Sequence, residues 1–90
     1  MRDVRLVGRW RGVVDEEVVT IEFTRDGALV YTIHSGGKEQ KILLRYDTVD
    51  GVIVTDQPSD PREERTNYSI APSGELVLNY GGAVSTFKRA

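Results

Sequence analysis

No cysteine occurs among the 90 residues. A disulfide framework, a thiolate zinc site and a thiol nucleophile are therefore excluded, and the redox compartment is immaterial to the fold. Nor is there a strong charge bias: 12 basic and 14 acidic residues leave a formal charge of −2. Without a basic excess, nucleic acid is not an expected partner. No apolar run of signal-peptide length follows Met1-Arg2-Asp3-Val4-Arg5, and nothing approaches the roughly 18 apolar residues of a membrane span. The expectation is a cytoplasmic protein with no membrane partner.

Histidine is nearly absent as well. His34 is the single one, and its neighbour Ser35 would point to the opposite face of a strand, so the two do not form a base and nucleophile. Gly36-Gly37-Lys38 lacks the spacing and following helix of a phosphate loop and reads as a hairpin turn. Asp15-Glu16-Glu17 reads as a solvated turn, and Asp56 and Asp60 lack calcium-loop spacing. No catalytic residue, metal site or cofactor is implied, and the chain reads as no enzyme. Ninety residues make one expected domain, 1–90, of a size that buries only about 60% of its unfolded surface. One core must do all the stabilising.

What is present is alternation. Eight short segments, 6–14, 18–24, 28–34, 38–46, 51–55, 62–70, 75–80 and 83–89, are separated by turn signals such as Asp26-Gly27, Asp50-Gly51, Pro72-Ser73-Gly74 and Gly81-Gly82. Val19, Ile21 and Phe23 share one face and Thr20 and Glu22 the other, as in a half-buried strand. The same period places Leu29, Tyr31 and Ile33 together, then Ile42, Leu44 and Tyr46, then Tyr68 and Ile70, then Leu76, Leu78 and Tyr80. A helical turn at Arg62-Glu63-Glu64-Arg65, with an Asp60 cap and Pro61 in first position, is the one competing local assignment. The expected fold is all-β, an eight-stranded antiparallel up-and-down meander.

An open meander leaves two bare edges, and closing strand one on strand eight removes both. Gly8 and Gly12 leave room for Trp10 to lie across a barrel floor. On strand eight, Phe87 and Arg89 share a face and Lys88 takes the other. A guanidinium can stack on an indole while donating to carbonyls, so Arg89, not Lys88, is expected to cap Trp10. Gly8, Trp10 and Arg89 are thus the expected closure residues.

Gly8-x-Trp10 on strand one, an arginine on the last strand and eight up-and-down strands between them resemble the calycin superfamily, in particular the small bacterial lipocalin-like domains. The motif rests on three residues, the topology on the whole chain. The chain departs from that family in being much shorter than a typical lipocalin and in having no long lid loop or C-terminal helix. The resemblance implies floor packing for Gly8, Trp10 and Arg89 and a small hydrophobic molecule bound inside the barrel. A haem-binding calycin would use a histidine, for which His34 is the sole candidate.

The inward-facing bulk, Trp10, Phe23, Leu29, Ile42, Leu44 and Phe87 among it, is enough to fill most of an eight-strand interior, leaving at most a small pocket at one end. Four phenols, Tyr31, Tyr46, Tyr68 and Tyr80, have two readings: rings that are core with hydroxyls reaching water at the rim, or a lining of that mouth that hydrogen-bonds a ligand, since a buried hydroxyl needs a partner. The charges of residues 62–65 read either as a solvated face, with Arg62 and Arg65 pairing to Glu63, Glu64 or cross-strand acids, or with Glu64 and Thr66 on the face of Tyr68 pointing inward, Arg11, Arg45 or a ligand then partnering the carboxylate. Two functional classes follow. One is a non-enzymatic lipocalin-like module holding a modest apolar or amphipathic molecule at the mouth through the tyrosines, Glu64 and Arg45. The other is a filled-core interaction or structural protein, acting as a homodimer or through an apolar patch of Val13, Val18, Val30 and Val77.

Overall fold

The computed structural model describes residues 2–59 and 61–90. Eight strands, β1 (Gly8–Val14), β2 (Glu17–Phe23), β3 (Ala28–Ser35), β4 (Lys38–Val49), β5 (Val52–Asp56), β6 (Glu63–Ile70), β7 (Leu76–Tyr80) and β8 (Ala83–Arg89), follow one another around a closed antiparallel barrel. Each pairs with its sequence neighbour, and β1 meets β8 through Trp10↔Arg89, Arg11↔Lys88 and Gly12↔Phe87. Residues 63–65 are strand rather than helix. The Asp60 cap proposed for that turn lies outside the described residues.

Side chains sort by size along the barrel axis. Trp10, Phe23, Tyr46, Leu76 and Phe87 are buried towards one end, where Phe23 and Tyr46 meet edge to face with ring centroids 5.0 Å apart. This end is the floor. Towards the other end the inward positions are smaller: Gly12, Thr55, Thr66, Ala83 and Ser85. This taper in bulk decides where the interior is full.

The sequence expectation and the structure part at two elements. Leu6 does not open a strand: Val4–Leu6 is a 3₁₀ turn whose Asp3 cap accepts a hydrogen bond from the Arg5 N–H. The turn drops Leu6, fully buried, into the floor and lets its carbonyl accept from Trp10 Nε1 at 2.9 Å. Strand β4 runs on past Tyr46 to Val49. Asp47 and Thr48 look like a loop by composition, yet Thr48 faces inward and is buried, its Oγ1 accepting the Asp3 N–H at 2.9 Å. Satisfying the hydroxyl makes a polar residue acceptable there.

Candidate functional site: the open end of the barrel

The floor is sealed by a set of directed contacts. Arg89 places its guanidinium carbon 4.0 Å from the centroid of the Trp10 ring and donates to Val7 O at 2.7 Å and Arg5 O at 2.5 Å. Lys88 is exposed on the outer face. Gly8 has φ +124°, a value few side chains tolerate, and a Cβ there would sit 2.6 Å from Arg89 Nη1. Gly12 is needed for space alone: a Cβ would lie 2.6 Å from Thr86 O and 2.7 Å from the Phe87 ring.

At the opposite end a cavity of about 470 Å³ opens, larger than the small pocket expected from the bulk of the apolar residues. Its depth is lined by Ile21, Phe23, Leu29, Leu44, Ile53 and Phe87, and its rim by Val14, Asp15, Tyr31, Tyr80, Ala83 and Ser85. The small inward side chains on β1, β5, β6 and β8 account for the space. A second lobe of about 360 Å³ shares Tyr31, Leu44, Thr55 and Tyr80 and adds Ile42, Arg62 and Glu64. The β1–β8 ladder stops at Gly12, so Val13 and Val84, both more than 60% exposed, flank an unzipped seam beside the rim.

The polar groups of this rim are few. Tyr80 donates to Glu64 Oε2 at 2.7 Å, and Arg62 Nε lies 3.3 Å from Glu64 Oε1. That hydrogen bond to the carboxylate raises the Tyr80 phenol above its ordinary range. Tyr31 is raised too, first by burial and then by the nearby Asp15 charge. Asp15 and Glu16 form the two-residue β1–β2 turn with φ of +50° and +67°, a geometry that usually selects Asn-Gly. The chain thus holds Asp15 over the cavity in a costly backbone conformation.

The four tyrosines do not share the mouth. Tyr31 and Tyr80 reach it. Tyr46 and Tyr68 belong to the floor, where their hydroxyls donate to Thr24 O and Asp3 Oδ2, each at 2.8 Å. Burial raises both phenols, and for Tyr68 the Asp3 carboxylate adds to the effect. Arg45 also departs from its expected place. It sits on the outer face, donating to Asp26 O at 2.5 Å, and Arg11 is likewise exposed, so neither partners Glu64. Asp3 was missed by the sequence reading altogether. Its carboxylate binds Arg5 in a two-pronged pair and accepts from Tyr68, and the Arg5 bonds above all hold its pKa down at about 2.

His34 lies on the outer face, its Nε2 3.1 Å from Thr20 Oγ1 and its Nδ1 3.8 Å from Glu39. Among the described residues no three His, Asp or Glu side chains gather as a metal site. Of the outward valines, Val13 is strongly exposed and lies across from Val18, while Val18, Val30 and Val77 are half-buried. Among the described residues no helix is long and apolar enough to cross a membrane. The chain matches no family model, no curated protein and no solved structure.

Proposed function

We propose that the protein is a non-catalytic binding module of lipocalin-like, calycin type, which takes an amphipathic molecule tail-first into the open end of the barrel. The observation that carries this reading is the cavity of about 470 Å³, apolar in its depth and polar only at its rim. Its size falls within the usual span for small-molecule sites, roughly 300–1,000 Å³. The strained Asp15-Glu16 turn adds support, because backbone strain concentrates where a side chain must be held in place. Asp15 contributes an acceptor and a negative charge, and the Glu64 carboxylate is already occupied by Tyr80 and Arg62. The favoured ligand therefore carries an uncharged or cationic hydrogen-bond donor on an aliphatic or aromatic body, and a fatty carboxylate is disfavoured.

Calorimetric titration with decylamine, decanol and decanoate tests the proposal. The amine and alcohol should bind and the carboxylate should bind most weakly, with all three lost on filling the cavity by Ser85→Trp. Equal binding of the carboxylate would remove the role given to Asp15. Binding that survives Ser85→Trp would remove the cavity itself.

A further inference from the structure

The barrel is closed at its floor, but not along its whole height. Strand β4 has twelve residues and pairs with β3 from Lys38 to Arg45, whereas β5 accompanies it only from Arg45 to Val49. Among the described residues, Lys38 to Leu44 therefore present an edge without a strand beside it. Leu43 on that stretch is 61% exposed. The phase of the edge follows from two contacts. Tyr46 N–H donates to Gly27 O on the β3 side, and Arg45 is paired with Asp56 on the β5 side. Alternation then aims the N–H and C=O groups of Glu39, Lys41 and Leu43 outward, unpaired.

We infer that this edge pairs antiparallel with the same edge of a second copy of the chain, about a two-fold axis through Gln40. Three constraints select that register. An antiparallel ladder sets outward-aimed residues opposite outward-aimed residues, so the axis must pass through a residue rather than between two. Centring on Glu39 or Lys41 places like charges directly opposite each other, and centring on Lys38 does the same with its own ammonium. Centring on Ile42 sets Glu39 of the second copy opposite Arg45, on the side already taken by Asp56. Only the Gln40 register places Glu39 opposite Lys41 twice over, both on the outer face. Charged residues on an edge ordinarily repel a second strand. Here their order does so in the registers centred on Lys38, Glu39 and Lys41, β5 blocks the one centred on Ile42, and the Gln40 register remains. The inference stands apart from the ligand reading, since it rests on the backbone groups and outward side chains of Glu39, Lys41 and Leu43, none of which lines the cavity.

Sedimentation equilibrium up to roughly millimolar protein tests it, with thermal melts to confirm folding. The wild type should form a dimer. Lys41→Pro should be monomeric and folded, because proline is accepted on an edge where the N–H faces solvent. Glu39→Lys alone and Lys41→Glu alone should each weaken dimerisation about tenfold, as two cross-strand pairs turn repulsive, and the double substitution should restore it. Should Lys41→Pro fail to fold, the charge reversals decide. A wild-type monomer at every concentration, a dimer indifferent to these changes, or a double variant no better than the singles would each overturn the proposal.

Discussion

Arg89 performs three tasks with one planar group: it covers Trp10 and satisfies the carbonyls of Val7 and Arg5. Arg89→Ala should cost about 1–3 kcal/mol, the range for charged hydrogen bonds with a stacked cation. Lys88→Ala should stay within about 0.5 kcal/mol, as for other exposed positions. Denaturation followed by the fluorescence of the single tryptophan measures both. Gly12→Ala should also destabilise, by about 1–3 kcal/mol, because its methyl would press on β8 backbone and the Phe87 ring. Asp3 supplies a pH dependence whose sign follows from its lowered pKa. Its stabilisation is complete above the ordinary carboxylate value of 3.8 and is lost as pH falls through about 2. In Asp3→Asn the melting temperature should be lower at neutral pH and flatter across that acid range.

Two elements carry costs that a purely structural barrel would avoid. The Asp15-Glu16 turn keeps both residues at positive φ. Replacing it with Asn-Gly should raise stability by about 1 kcal/mol or more while weakening decylamine binding, the trade expected when a strained group serves a site. The β1–β8 seam is the other. Its pairing ends at Gly12, and the Ala90 N–H bond to Arg9 O shows that the even positions of β8 aim their amides at β1, so the amides of Val84 and Thr86 should exchange with solvent much faster than those of Ile21 and Leu29 in the fully paired ladders. At this scale the sequence was most readable. Alternation and Asp-Gly turns marked eight strands, since a two-residue period and a positive φ leave direct traces in residue type. The 3₁₀ turn at Leu6 and the end of β4 left weaker traces, because Asp3 and Thr48 are satisfied by partners far away in sequence, among them each other and Tyr68.

For the molecule as a whole, the barrel is an asymmetric container with a sealed, aromatic floor and an open end walled by smaller side chains. That asymmetry explains why four similar tyrosines divide into two pairs. Strand polarity already holds the answer: β4 and β6 run towards the floor and carry Tyr46 and Tyr68 in their later halves, while β7 runs towards the mouth and ends on Tyr80. What residue type alone does not reveal is the register between strands, which brings Thr55, Thr66 and Ser85 to the wall of one cavity. Arg45 shows the same limit, for its charge suggests a ligand contact and its parity turns it outward. If the cavity binds ligand and the floor does not, the two ends respond differently to decylamine. Amide chemical-shift mapping during decylamine titration tests it directly. Saturable shifts are expected at Val14, Asp15, Tyr31, Thr55 and Ser85 with the Trp10 indole unmoved, whereas shifts centred on Trp10, or none at all, would rule the open end out as the binding site.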